Sequence, residues 1–343
     1  MRSMPMFKPR SLLLAPMVGI TNRAFRTLVA ELGEPGHFFT EMASAEAFAA
    51  RAQYEEDYTD PRPLPGKTSI QFFARSEDSL QKACSMVAAR TPETRPAGID
   101  INFGCSAPHI RRMGGGSAWS ADPEGSARLV RAARAAWPGL LSAKLRMGAD
   151  DDYGRMRDYC QGLVAEGLDF LTFHPRTDGQ KLRRGARHSF TQSLAQDLRT
   201  PLVANGDITD PQKFFTQGAA PAVDMSSIHS LMIGRQAVRA PWIFALCNQD
   251  GMSGKDGTAR EFDRLAIGVR YLELVDALLP APWKKESCRR FFTYYCEDLV
   301  FSHHIKYRLI NAQDLAAMEM ELEGYFREVP QDRMVVSPGP ESQ

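Results

Sequence analysis

The chain has 343 residues, 43% hydrophobic and 24% charged, which is too long for one small domain and too apolar for disorder throughout. Lys and Arg total 42 against 41 Asp and Glu, so the net charge of +1 excludes a surface that is basic all over but leaves room for local basic patches. Six cysteines without a C-x-x-C pair argue against a metal site or a disulfide framework and for reduced thiols. No apolar run approaches the roughly 20 residues that span a bilayer. The segment Ser11–Ile20 imitates a secretory signal, but Pro16 and Gly19 break it and no small-residue cleavage site follows. It reads as a first strand, and the protein as cytoplasmic with no membrane partner.

In chain order, short apolar runs read as strands at Ser11–Met17, Phe38–Met42, Thr68–Phe73, Gly98–Cys105, Leu140–Arg146, Leu168–His174, Pro201–Asp207 and Ser230–Arg235. Between them, apolar residues at three- and four-residue spacing predict helices such as Ser76–Ala89, Asp122–Ala136 and Arg155–Glu166. This rhythm predicts an α/β fold, a closed (β/α)8 barrel of the TIM type, over residues 1–250; a doubly wound sheet would serve with fewer strands. Gly251–Gly257 reads as a linker. A small helical domain follows over 258–328, with helices near Glu261–Leu279, Trp283–His304 and Ala312–Phe326, and then a tail without structure over 329–343.

Polar residues gather at the C-terminal ends of the strands, where a β/α barrel carries its active site. They are Met17, Glu41, Gln71, Asn102 with Cys105, Lys144 with Arg146, His174 with Arg176, Asn205 with Asp207, and Gly234 with Arg235. Strands seven and eight end in Asn205-Gly206-Asp207 and Ile233-Gly234-Arg235, and loops of this kind let backbone N–H groups approach a phosphate. Gly114-Gly115-Gly116 is not a G-x-G-x-x-G, so a dinucleotide domain is not indicated. The phosphate points instead to a flavin mononucleotide, FMN, with Gln71 and Lys144 at the ring edge where negative charge gathers on reduction.

Several of these segments resemble the tRNA-dihydrouridine synthases. They are Leu14-Ala15-Pro16-Met17-Val18-Gly19-Ile20-Thr21-Asn22, Thr40-Glu41-Met42, Ile70-Gln71-Phe72, Asp100-Ile101-Asn102-Phe103-Gly104-Cys105, Gly116-Ser117-Ala118, Ala143-Lys144-Leu145-Arg146, Asn205-Gly206-Asp207 and Met232-Ile233-Gly234-Arg235. The resemblance runs in order over about residues 10–245. It implies an FMN-containing barrel, a C-terminal helical domain that holds RNA, and reduction of the C5=C6 bond of uridine with NADPH as reductant. The proton at C5 has to come from an acid, and a thiol can donate one at neutral pH. By resemblance Cys105 is that donor, and Asn102 holds the uracil. Pro16, Met17, Gln71, Lys144, His174, Asn205, Gly206, Asp207, Gly234 and Arg235 match flavin contacts. Arg146 and Arg176 face the substrate or the flavin.

The chain departs from the family pattern at four places. Ser106 follows Cys105 where the family has proline, and His109 stands where it has lysine beside the substrate. Pro175 and Gln236 each replace a glycine. These departures spare the flavin contacts and bear on the RNA target and on turnover. Basic clusters occur at Arg111-Arg112, at Arg183-Arg184 with Arg187, at Lys284-Lys285 with Arg289-Arg290, and from His303 to Arg308. The last two adjoin Phe291, Phe292, Tyr294, Tyr295 and Tyr307, a mixture that can grip phosphates and bases, although aromatics at helical spacing also pack cores. A structured RNA, most simply tRNA, is the expected partner. The rival readings are a barrel oxidoreductase acting on a free small molecule and a flavin-bearing RNA-binding protein without turnover.

Overall fold

Each strand alternates two kinds of side chain, and the alternation decides which set faces the helices. The strands are β1 (Leu12–Leu14), β2 (Phe38–Ser44), β3 (Thr68–Phe73), β4 (Gly98–Phe103), β5 (Leu140–Gly148), β6 (Phe170–Thr177), β7 (Leu202–Asn205) and β8 (Ser230–Ile233). They pair in parallel in the order β1-β8-β7-β6-β5-β4-β3-β2. A parallel bridge between Leu13 and His37 brings the ends of the sheet together. This is the expected TIM barrel, seen here in a computed structural model that describes residues 7–180, 183–217, 226–246 and 260–337. The Gly251–Gly257 segment and residues 218–225 lie outside the described residues.

The chain divides into two units, residues 1–16 with 36–233, and residues 17–35 with 234–343. In the first, Ile70, Phe72, Ile99, Ile101, Leu141, Ala143, Leu171 and Phe173 share one apolar cluster with helix residues such as Leu80, Val87, Leu129, Val130 and Leu163. The alternate positions therefore point inward. Register puts Gln71 beside Asp100, Asp100 beside Ser142, Asn102 beside Lys144, and Lys144 beside Thr172. The barrel is thus apolar outside and polar inside. Its N-terminal end is filled by Phe7, whose ring meets those of Phe170, His229 and His37 at 5.2, 5.5 and 5.6 Å.

The surrounding helices start where the sequence offers a cap. Ser76 accepts from Ser79 N–H ahead of Glu77–Ala88, and Asp122 accepts from Gly125 N–H ahead of Pro123–Ala136. Strand β1 stops at Leu14 rather than Met17, because Pro16 has no N–H for a ladder. Pro175 acts similarly within β6. Arg146 faces His174 while Gly148 faces Thr177, so β6 carries one extra residue and bulges at the barrel mouth.

The second unit joins the helix Arg23–Gly33 to the C-terminal helices Arg264–Leu278, Ala281–Tyr295, Ser302–Asn311 and Leu315–Glu328. Phe25 packs against Tyr271 and Phe291 at 6.3 and 5.9 Å, and Tyr271 stacks on Phe291 at 3.9 Å. Glu31 holds Arg270 through two hydrogen bonds of 2.9 and 2.7 Å. The expected helix Trp283–His304 is instead two helices, Ala281–Tyr295 and Ser302–Asn311, and in the segment between them Asp332 accepts the Val300 N–H at 2.8 Å. Of the segment 329–343, read as a tail without structure, the described part forms a 3-10 turn at Pro330–Asp332 and a strand β10 (Met334–Ser337), and residues 338–343 lie outside the described residues. That strand pairs antiparallel with β9 (Arg260–Asp263), where a helix start was expected. Its other half is equally ordered: Asp263 caps the next helix through Leu265 and Ala266 N–H and is held by Arg333.

Of the aromatics beside the basic clusters, Phe291, Phe292 and Tyr295 are core residues, whereas Tyr307 is 71% exposed. Phe291→Ala is expected to destabilise the protein by about 3–5 kcal/mol in urea unfolding, and Tyr307→Ala by no more than about 0.5 kcal/mol. Similar losses for both would place Tyr307 in the core and contradict this division.

Candidate active site

Cys105 lies two residues beyond β4, and its turn is held from below by one side chain. The Asn102 Oδ1 accepts the N–H groups of Gly104 and Cys105 at 3.1 and 2.8 Å, and its Nδ2 donates to Gln71 Oε1 at 2.9 Å. On the far side, Ser117 N–H donates to the Cys105 carbonyl at 2.9 Å. Gly116 permits this approach: its φ is +59°, and a Cβ there would lie 2.4 Å from that carbonyl oxygen. Cys105 is half-buried, while Cys84, Cys160, Cys288 and Cys296 are buried, and burial pushes each of their thiols up to about 12. Among the described residues Cys105 is the one cysteine open to a ligand.

Next to this turn the inner wall is rich in cations. Lys144 on β5 is lowered to about 8, by burial first and then by Arg146. His174, on β6, is held far below the ordinary imidazole range by burial and then by Lys144, Arg146 and Arg176. It is therefore neutral. Arg176 Nη1 lies 3.4 Å from His174 Nε2; a guanidinium can only donate, so Nε2 accepts and the proton sits on Nδ1. Arg176 itself is 3% exposed and binds Asp207 and the Arg184 carbonyl. It thus fastens the loop before helix His188–Asp197 to the end of β7. Gly206 has φ +113°, and a Cβ there would lie 2.6 Å from the His174 ring, so only glycine leaves that ring in place. Asn205 Nδ2 donates to Met232 O at 2.8 Å, joining β7 to β8.

The sequence-derived candidates thus separate into groups. Gln71, Asn102, Lys144, Arg146 and His174 come together on adjoining strands with Cys105 at their edge. Arg176, Asn205, Gly206 and Asp207 form the adjacent wall. Asn102 was expected at the substrate, but its oxygen is engaged by the turn. His109 is exposed on the short helix Pro108–Arg112. Pro16 ends the first unit's N-terminal segment and Met17 opens the second unit; Gly234 directly follows β8 and caps the helix beginning at Arg235. Flavin contacts by Pro16, Met17, Gly234 and Arg235 rest on the resemblance alone.

Two acids were missed. Asp100 is fully buried beneath Gln71, accepting Gln71 Nε2 at 2.7 Å and Ser142 Oγ at 2.5 Å. The signal was available: Asp100 and Asn102 stand two apart in an otherwise apolar strand and so share its inner face. Asp178 accepts Ser117 Oγ at 3.0 Å and faces Arg111 at 3.8 Å, clamping the Cys105 loop to the end of β6. Nothing local in the sequence marks that contact. Among the described residues no group of three His, Cys, Asp or Glu could hold a metal, and no helix is long and apolar enough to cross a membrane.

A half-buried thiol beside inward-facing cations at the C-terminal ends of barrel strands defines a barrel enzyme whose ligand is anionic or gains electrons. The chain matches the family described as dihydrouridine synthase over residues 13–319. It is 32% identical to tRNA-dihydrouridine synthase B of Serratia marcescens over 233 residues, covering 68% of this chain and 67% of the relative. With a probable tRNA-dihydrouridine synthase of Rhodobacter capsulatus the identity is 33% over 238 residues, covering 68% and 69%. The solved structure of an old yellow enzyme homologue from Zymomonas mobilis is similar at TM-score 0.43 and 12% identity, covering 70% of this chain and 91% of that one. The chain belongs to the dihydrouridine synthase family.

Burial raises the Asp100 carboxyl from 3.8 to about 6, against the pull of Gln71, Ser142 and Lys144. Between those values the folded protein keeps a proton that the unfolded chain has lost. Stability should therefore fall as pH rises from about 4 to 6, by about 3 kcal/mol in total. Asp100→Asn should abolish that part of the pH profile in urea unfolding. An unchanged profile would mean that Asp100 is not the group responsible.

Proposed function

We propose that this enzyme reduces the C5=C6 bond of uridine in a cytoplasmic tRNA, with FMN as its cofactor and NADPH as reductant. The observation that carries the reading is the Cys105 turn, pinned by Asn102 beside the inward-facing Lys144, Arg146 and neutral His174. FMN would supply hydride to C6, recharged by NADPH. The residues present suit that cofactor. Lys144 offers positive charge to a ring edge that becomes electron-rich, and His174 offers an Nδ1–H donor. Gln71 retains a second N–H beyond the one given to Asp100, and Gly206 lets the His174 ring keep its place.

The remaining proton is the task of Cys105. Its Sγ–H delivers to C5 as negative charge grows there, and the thiol is then reprotonated from solvent. Because Asn102 and Ser117 fix the backbone on both sides of the residue, the sulfur is held without a side-chain hydrogen bond of its own in the relay. This positioning makes the thiol an oriented acid rather than a mobile one.

Tyr307, exposed on the helix Ser302–Asn311 with His303 and His304, supplies an aromatic face for the RNA. The neighbouring cations are less free than their sequence suggests. Arg289 donates to the Ile310 carbonyl, Lys285 to the Gln313 carbonyl, and Arg290 to Glu286 and the Val18 carbonyl.

Two experiments test this reading. Cys105→Ala should keep its FMN and its reduction by NADPH, while oxidation of the reduced enzyme by tRNA without oxygen slows by roughly 10²–10⁴-fold. Equal rates for variant and wild type would remove Cys105 from the chemistry, and a wild type that no tRNA oxidises would favour the reading without turnover. Tyr307→Ala should weaken tRNA binding by about tenfold at fixed salt, within the 1–3 kcal/mol range of a base–aromatic stack. Unaltered affinity would put the RNA on another surface.

A further inference from the structure

Asp100 does not enter the chemistry above, yet a buried carboxylate destabilises a fold relative to an apolar side chain of similar volume. Its surroundings give it a task. Starting from the catalytic turn, the N–H groups of Gly104 and Cys105 can only donate, so Asn102 must turn its oxygen toward them. Its amide nitrogen then meets Gln71 and requires the Gln71 oxygen. That in turn directs the Gln71 nitrogen downward, 2.7 Å from Asp100 Oδ2, where only an acceptor will satisfy it. The other oxygen, Oδ1, accepts Ser142 Oγ from β5, which keeps the carboxyl plane from turning. An amide can face either way in isolation. In this series every orientation follows from its neighbour.

We propose that Asp100 is a positioning residue: by ending the Cys105–Asn102–Gln71 relay with an acceptor, it fixes the direction of both amides and holds the Cys105 turn for proton delivery. The inference rests on the reading of Cys105 as the acid. A leucine at this position leaves the Gln71 nitrogen buried without an acceptor, and the relief open to it is for the Gln71 amide to swing out of the relay. Asn102 then loses the acceptor for its own nitrogen, its side chain is no longer fixed, and the turn it holds is loosened. Asparagine at position 100 can instead keep an oxygen toward Gln71 and point its amide nitrogen at the Ser142 hydroxyl, which can accept.

The test compares wild type, Asp100→Leu and Asp100→Asn as purified full-length protein. Iodoacetamide labelling of Cys105, mapped by mass spectrometry, reads the turn directly, because the other described cysteines are buried. Separate measurements follow flavin content, reduction by NADPH, and oxidation by tRNA. Asp100→Leu should change the Cys105 labelling rate at least fivefold and slow the tRNA step by about tenfold or more, the range for one buried group left unsatisfied. Flavin content and the NADPH step should fall less than the tRNA step, since Gln71 is only one of the residues read as flavin contacts and neither readout needs the turn. Asp100→Asn should restore both affected readouts. If Asp100→Leu does not fold, Asp100→Ser, whose hydroxyl stops short of Gln71, carries the same expectation. Unchanged labelling in the Leu or Ser variant overturns the proposal. So does an Asn variant that behaves like Leu, or a parallel fall of flavin content and both half-reactions. A tRNA step that survives Cys105→Ala would defeat the reading of the acid, and the labelling arm would still decide whether Asp100 holds the turn.

Discussion

A buried donor has to meet an acceptor, and inside this barrel that requirement ties successive strands together. The inner surfaces of β3, β4 and β5 carry polar side chains where many barrels of this size carry branched aliphatics. Asp100 lies at the centre of that arrangement, taking one hydrogen bond from β3 and one from β5. Those contacts fix the side chains above it, and these fix the turn that presents Cys105. The bottom of the barrel is different in kind: Phe7 and its aromatic neighbours close it with apolar contacts that require no pairing. The molecule thus concentrates its orientation-sensitive interactions at one end of the strands.

Electrostatics at the mouth follow from the same geometry. Strand register puts Lys144 beside Asn102 and Arg146 beside His174, so the cations stand in adjacent rows. Their mutual repulsion, added to desolvation, lowers Lys144 and keeps His174 neutral. The Pro175 bulge brings Arg176 back against His174 and Asp207, which offsets part of that repulsion locally. A ligand that brings negative charge into this space relieves the remainder.

Much of this was legible in the sequence because barrel strands are short apolar runs, and polar residues at their ends stand out against them. The eight runs from Ser11 to Arg235 each correspond to a strand, with ends shifted by a few residues, as at β1, where Pro16 withholds an N–H. Contacts between distant segments were not legible. No local pattern says that Asp178 will clamp Ser117, or that Met334–Ser337 will pair with Arg260–Asp263. The partners of charge runs were not legible either. Arg289 and Arg290 look like a surface patch in the sequence, and the structure adds that their guanidinium groups cap carbonyls and pair with Glu286 within their own unit. Asp100 was visible as part of a motif, and its role emerged only from the direction of its hydrogen bonds.

The helix Arg23–Gly33 belongs to the same unit as the helices that begin at Arg264, although seven of the barrel's eight strands are encoded between them. On a ribosome that adds about 5–20 residues per second, its partners Tyr271 and Phe291 appear on the order of tens of seconds after it does. During that interval Phe25, Leu28 and Val29, all buried in the finished protein, have no permanent surface to cover them. This helix therefore leaves the ribosome long before it can find its place. Its apolar face has to be sheltered, by transient contacts or by other proteins, until the later helices of its own unit have been made.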